Sequence, residues 1–154
     1  MSAPMEIAGL RRATVEDADA MRTLAERAYF EWIGVIGAIP QAIEVSYPEV
    51  LERDECWICG GHGRTDASLV LQHKPDHLLL WALAVHPDAA GLGIGTALLN
   101  FAETRAQAAG YSEIRLFTNV LMQSNRDWYK RSGFQEIGEE AMGDKRVVMM
   151  RKPV

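Results

Sequence analysis

The chain lacks any run of about 18 apolar residues, the length from which a helix qualifies to cross a bilayer, so no membrane association is expected. Its opening residues, Met1-Ser2-Ala3-Pro4-Met5-Glu6, have neither the basic nor the apolar region of a signal peptide, and a cytoplasmic location is expected. An excess of basic residues is missing too. Sixteen Lys and Arg stand against 21 Asp and Glu, and a net charge of −5 repels a phosphate backbone, so nucleic acid is not an expected partner. Cysteine is scarce: the two that exist, Cys56 and Cys59, form a CxxC. Zinc would need two more ligands, and His62, His73 and His77 downstream lack the paired spacing of a zinc ribbon or finger. A redox CxxC would open a helix, whereas Cys56-Trp57-Ile58-Cys59 reads as a short buried strand ahead of Gly60, Gly61 and Gly63. Both thiols are therefore expected as small core hydrophobes, with no metal. Repeats, linkers and low-complexity tracts are also missing, and residues 1–154 are expected to form a single domain with one ordinary core.

What is present alternates between two periods. Ile7 to Thr14 reads as a first strand that ends at a helix cap, with Thr14-Val15-Glu16-Asp17 as a candidate capping box. Ala18, Met21, Leu24, Ala25 and Ala28 recur at steps of three and four, which predicts a helix from about Asp17 to Phe30. The aromatic stretch Tyr29 to Pro40 is broken by Gly34, Gly37 and Pro40 and is expected as a loop. A second helix over about Ala42 to Arg53 precedes the Cys56 strand, a turn near Gly60 to Asp66 and a strand from Ala67 to His73. Lys74-Pro75-Asp76 marks a hairpin turn. His77 to Val85 is almost wholly apolar, as a central strand covered on both faces should be. Downstream, a helix from Ile94 ends at Gly110, a strand covers Ile114 to Thr118, and a short helix from Ser124 to Ser132 ends at Gly133. Strands near Phe134–Glu140 and Lys145–Arg151 close the chain. This order gives an α/β or α+β mixed sheet with helices on both faces, not a purely parallel one.

The segment between the apolar strand and its following helix is Gly91-Leu92-Gly93-Ile94-Gly95. Glycines at alternate positions let the backbone approach a ligand closely, and the helix start points free N–H groups and a positive dipole end at that spot. An anion belongs there. A dinucleotide fingerprint needs glycine three residues after Gly93, where this chain has Thr96; a phosphate loop of the nucleotide-hydrolase type needs Gly-Lys-Ser/Thr, where it has Gly95-Thr96-Ala97. Both readings fail.

Two segments carry a resemblance. Val85-His86-Pro87-Asp88-Ala89-Ala90-Gly91-Leu92-Gly93-Ile94-Gly95-Thr96-Ala97-Leu98-Leu99 resembles the acyl-coenzyme A loop of the GNAT superfamily of N-acetyltransferases. Further on, the stretch from Leu116 through Asn119, Asn125 and Tyr129 to Gly133-Phe134 is similar to that family's second cofactor segment. The likeness is strong over residues 78 to 140 and general before that. It implies a mixed, mostly antiparallel central sheet of six to seven strands flanked by about four helices.

The resemblance also implies roles. The strand edge Leu83-Ala84-Val85 would pair with pantetheine amides, and the amides of Gly91, Leu92, Gly93, Ile94, Gly95 and Thr96 would cradle the pyrophosphate of acetyl-coenzyme A. Ala90 stands where relatives usually carry Gln or Arg, which removes one side-chain contact to phosphate. Asn119 and Asn125 belong to the implied cofactor set, and Asn125 would hold the pantetheine arm. Tyr129, one helical turn on, would protonate the departing thiolate as general acid. Many relatives place a glutamate base on the central strand where this chain has Trp81. That leaves open a base from elsewhere, such as Glu31, Glu44 or His77, deprotonation through water, or an altered activity. Tyr29, Trp32, Tyr47 and Trp81 are candidates for an acceptor pocket. The expected activity is direct transfer of an acetyl group to a primary amine of a small molecule or peptide; the alternative is a non-catalytic acyl-coenzyme A binding module. A homodimer formed through the apolar terminal strand, Val147 to Met150, is one further option.

Overall fold

A computed structural model describes residues 7–61 and 63–154. The Met1–Glu6 stretch and His62 lie outside the described residues. Seven strands, β1 (Arg11–Arg12), β2 (Glu55–Gly61), β3 (Arg64–His73), β4 (Leu78–Val85), β5 (Glu113–Asn119), β6 (Gln135–Met142) and β7 (Lys145–Pro153), form one sheet in the order β1-β2-β3-β4-β5-β7-β6. Every neighbouring pair is antiparallel except β4 and β5. This is the mixed, mostly antiparallel sheet expected.

The sheet is covered on both faces because its strands alternate. Leu69 and Leu71 on β3 face one cluster with Leu78 and Leu80 of β4, while Val70 between them faces a second cluster. The first cluster is closed by the helix α5 (Ile94–Ala108), whose Leu98, Leu99, Ala102 and Ala106 are at most 1% exposed. Full burial of each such leucine is worth roughly 1.5–3 kcal/mol. The second cluster is closed by α1 (Ala18–Tyr29) through Ala18, Met21 and Ala25, the face that its sequence spacing predicts. In front of α1 the Asp17 carboxylate accepts the Thr14 amide at 2.8 Å and is gripped by Arg11 at 2.8 and 2.9 Å. These bonds hold the Asp17 carboxyl down at about 2, chiefly through Arg11.

Three local readings are corrected. The first strand shrinks to Arg11–Arg12. The expected loop from Tyr29 to Pro40 contains a short helix, α2 (Trp32–Ile36), stopped by Gly37 in the left-handed region at φ 74°. The single helix expected over Ala42 to Arg53 is two, α3 (Gln41–Glu44) and α4 (Tyr47–Arg53). Pro48 in the first turn of α4 cannot supply an amide to a preceding turn, so the chain extends through Val45 and starts again.

CxxC geometry follows from the strand. Cys56 packs in the second cluster and Cys59 in the first, so the two thiols point to opposite sides of the sheet and cannot share a metal ion or a disulfide. Burial pushes the Cys56 thiol up to about 12 and raises Cys59 as well. The terminal strand is equally inward: Val147, Val148 and Met150 are at most 4% exposed, and β7 lies between β5 and β6, so its apolar side chains are core rather than a dimer surface. No helix among the described residues is long and apolar enough to cross a membrane.

Candidate functional site

β4 and β5 are parallel, yet they pair only from Leu78–Leu80 to Ile114–Leu116. Beyond Leu80 and Leu116 the register stops, and two cavities lie at the opened end. The larger, about 430 Å³, is lined by Leu83, Ala84, Val85, Gly91, Gly93, Ile94, Gly95, Thr96, Asn125, Trp128 and Tyr129. The smaller, about 90 Å³, lies deeper between Trp81, Leu83, Phe117, Asn119, Met122 and Tyr129. Leu83, Tyr29, Asn125 and Tyr129 line both.

The glycine loop takes the form its sequence predicts. Gly91 and Gly93 adopt φ of 81° and 82°, a region that L side chains enter only with strain, and Gly93 is the N-cap of α5. The first intrahelical bond runs from the Ala97 amide to Gly93 oxygen at 3.0 Å, which leaves the amides of Gly93, Ile94, Gly95 and Thr96 without helical partners at the cavity. Gly95 is helical; a Cβ there would stand 3.6 Å from Trp128 and 3.7 Å from Val85, so this glycine sets how near the helix comes to the cleft wall. Leu92 is 70% exposed and its side chain points away from the cavity lining. The loop thus fits an anion held by backbone donors, and the cleft beside β4 fits an extended chain leading from it.

Tyr129 is placed by the end of its helix, α6 (Gln123–Arg131). Gly133, at φ 100°, allows the Gly133 amide to donate to Lys130 oxygen at 3.1 Å and the Phe134 amide to Tyr129 oxygen at 3.0 Å. That is the Schellman closure, with its usual apolar contact: the Phe134 and Tyr129 rings meet edge-on at 5.9 Å. Trp128 flanks the other side at 4.8 Å. The Gly-Phe pair that ends the motif is therefore what orients the phenol. Tyr129 is 7% exposed, and its hydroxyl has no side-chain partner among the described residues. Burial, with Tyr29 nearby, raises its pKa well above that of free tyrosine, so it stays protonated. Asn125, one turn earlier, shares its face of α6.

The remaining predicted residues divide. Tyr29 lines both cavities, and its hydroxyl donates to Leu83 oxygen at 3.0 Å; burial pushes it up to about 12. This bond takes up one lone pair of a carbonyl in the strand edge read as a pantetheine partner, leaving the other. Trp81 lines the smaller cavity. It is the extra residue of a β-bulge, since Val70 pairs with Ala82 and Leu71 with Leu80, and the bulge turns both Trp81 and Ala82 toward the α1 cluster. Trp32 lines the larger cavity and not the smaller. Tyr47 lines neither: it is 4% exposed and its hydroxyl donates to Ala42 oxygen, a core role that ties α4 to α3. Asn119 lines the smaller cavity only, and its side-chain oxygen accepts the Leu121 amide at 2.9 Å, which shapes the turn into α6.

Of the three alternative bases, His77 sits at the paired end of β4, away from the opening, bound to Asp76 at 2.7 Å. Glu44 stands 3.7 Å from Lys145 and outside the cavity lining, and Glu31 borders the larger cavity. No carboxylate lines the smaller cavity among the described residues. Sequence reasoning missed Ile36, Phe117, Met122, Met142 and Lys145, which also line it. They come from α2, β5, the turn before α6, β6 and β7, and no local pattern groups them.

A model of the acetyltransferase (GNAT) domain matches residues 52–136. No curated protein sequence matches the chain. Among solved structures, the PaiA N-acetyltransferase of Thermoplasma acidophilum in complex with coenzyme A aligns with a TM-score of 0.78 at 19% identity, over 97% of this chain and 100% of that one. The ribosomal-protein-S18-alanine N-acetyltransferase of Escherichia coli aligns with a TM-score of 0.75 at 20% identity, over 94% and 92%. The IAA acetyltransferase of Bacillus cereus gives 0.72 at 17%, over 94% and 98%. Identities this low speak for the fold; the domain match, which spans the glycine loop, Asn125, Tyr129 and the Gly133-Phe134 closure, speaks for descent, and the chain belongs to the GNAT acetyltransferase family.

Proposed function

We propose that the protein transfers the acetyl group of acetyl-coenzyme A to a primary amine, directly and without a covalent enzyme intermediate. The observation that carries this is the meeting of two cavities at Tyr129: one ends on the unpaired amides of α5, the other lies beside the opened end of β4 and β5. In this reading Gly93, Ile94, Gly95 and Thr96 hold the pyrophosphate, with Gly91 shaping the turn and the Leu83–Val85 edge and Asn125 aligning the pantetheine arm. When bound, acetyl-coenzyme A supplies an activated acetyl carbon and a thiol leaving group.

Tyr129 holds its proton at Oη, beside both cavities, and gives it to the departing sulfur. The amine nitrogen forms the new C–N bond as the C–S bond breaks; the proton it sheds passes to water, and water returns one to Tyr129. Nothing requires a nucleophilic cysteine, because both thiols are buried in the sheet away from the cavities.

Calorimetric titration with coenzyme A, together with thiol release from acetyl-coenzyme A across a panel of amines, tests the proposal. Saturable binding that is weakened at least tenfold by Gly93→Val, with amine-dependent thiol release, is the expected result. Binding without turnover on any amine supports instead a non-catalytic binding module, the reading favoured by the absence of a carboxylate in the smaller cavity.

A further inference from the structure

We propose that the acceptor is a small amine with a substantial neutral fraction at neutral pH that carries a carboxylate, which docks on Lys145. The proposal rests on the acyl-transfer reading above and names its acceptor class.

The smaller cavity fixes the terms. Its apolar walls are Trp81, Leu80, Phe117, Met122 and Met142, Gln41, Thr118, Asn119 and Asn125 add polar groups, and the only charged side chain among its described lining residues is Lys145. A volume of about 90 Å³ admits a group the size of several water molecules, at about 10–15 Å³ each. The acceptor end that reaches Tyr129 is therefore small.

Charge decides which amine can enter. The titratable groups that line the cavity are Tyr29, Tyr129 and Lys145, of which only Lys145 is charged, with Glu44 and Asp144 at 3.7 and 3.8 Å from its ammonium behind the lining. An aliphatic amine with a pKa near 10.4 is about one part in a thousand neutral at pH 7.4. Its ammonium would meet a cation, apolar walls and no carboxylate to receive its proton. An α-amino group with a pKa of about 7.7–8.0 is about a quarter neutral at the same pH, and an aromatic amine is neutral throughout. Such amines attack without a protein base, which accounts for Trp81 standing on the bulge of β4 where a carboxylate was expected.

Lys145 supplies the second half. Its side chain is 15% exposed, at the start of β7. The nearest carboxylates, Glu44 at 3.7 Å and Asp144 at 3.8 Å, lie beyond hydrogen-bond distance and are 53% and 78% exposed, so water screens them. A sheltered cation that makes no hydrogen bond among the described residues, only two longer ion pairs, is matched at this cavity wall by a ligand carboxylate through a charge-assisted hydrogen bond.

Initial rates of thiol release with 4-aminobenzoate, glycylleucine, their neutral amides and spermidine, for the wild type, Lys145→Met and Lys145→Arg, test this. The wild type is expected to prefer each carboxylate over its amide by about ten- to a hundredfold in kcat/KM, the worth of one hydrogen bond between charged groups. In Lys145→Met that preference should fall to about one through a raised KM, and Lys145→Arg should restore part of it. Calorimetric binding of 4-aminobenzoate in the presence of coenzyme A should weaken in parallel. Should Lys145→Met fail to fold, Lys145→Gln and the wild-type preference alone decide the matter. Acetylation of spermidine or the neutral amides in preference to the carboxylates overturns the proposal but leaves acetyl transfer standing. Failure of every amine, with coenzyme A bound, overturns the transfer reading and this proposal with it.

Discussion

Replacement of Tyr129 by phenylalanine isolates the hydroxyl from everything else the residue does. The ring packs against Trp128 at 4.8 Å and Phe134 at 5.9 Å, and phenylalanine keeps both contacts. The hydroxyl has no side-chain partner to strand, so stability should change by no more than about 0.5 kcal/mol. General acid catalysis by a well-placed group contributes about 10²–10⁴-fold. Burial raises the pKa of Tyr129 above that of a free phenol, while a thiol titrates near 8.5, so donation is uphill until the C–S bond is well broken. That places the effect at the lower end, about a hundredfold in kcat, or about 2.7 kcal/mol at 1.36 kcal/mol per factor of ten. KM for acetyl-coenzyme A should move little, because pyrophosphate binding resides in the α5 amides. Thiol release under saturating acetyl-coenzyme A measures kcat, and coenzyme A titration measures binding. A kcat within about twofold of the wild type, with the melting temperature unchanged, would refute the assignment of Tyr129 as proton donor.

Gly93→Ala forces a residue with a Cβ into φ 82° and should cost about 1–2 kcal/mol of stability in urea unfolding, together with a loss of coenzyme A affinity seen by calorimetry. Glu55, 7% exposed, accepts from Arg105 at 2.7 and 3.1 Å and from Trp57 at 2.7 Å, and meets His73 at 2.9 Å. Glu55→Ala should destabilise by about 1.5–3 kcal/mol, since it removes charge-assisted hydrogen bonds while Arg105, 34% exposed, is partly resolvated. Burial alone would raise the Glu55 carboxyl, but Arg105, Trp57 and His73 outweigh it and hold the group at about 2. Its contribution is therefore complete above the unfolded value near 4.5 and is lost as pH falls toward 2; acid-induced unfolding of the Glu55→Gln variant should show a smaller dependence on pH across that window. Cys56 and Cys59 should not react with Ellman's reagent in the native protein and should both react in denaturant; rapid native labelling would contradict their burial.

The parts of the fold legible in the sequence are those fixed by local periodicity and by backbone chemistry. Ala18, Met21 and Ala25 gave their own burial through spacing, and Gly93 and Gly133 could be read because only glycine suits the helix boundaries they occupy. Trp81 was harder: the bulge opposite Val70 and Leu71 flips the alternation of β4, and no period in the sequence announces it. Tyr47 reads like Tyr29 and Trp32 as a pocket aromatic, yet composition does not say which ring faces a cleft; the break at Val45-Ser46 sends Tyr47 into the core, while Trp32 borders the larger cavity. Lys145 and Met142 reach the cavity because β7 pairs with β5, a contact between distant segments that carries no local signal. Glu55 passed unnoticed for the same reason, since its partner Arg105 lies 50 residues away.

Incubation of the purified protein with acetyl-coenzyme A and the amine panel, followed by mass spectrometry of both products, bears on the central claim most directly. The account predicts an N-acetylated amine and free coenzyme A in equal amounts, both reduced about a hundredfold in rate by Tyr129→Phe. Free coenzyme A released without any acetylated amine, or no release at all from protein that binds coenzyme A, would contradict it.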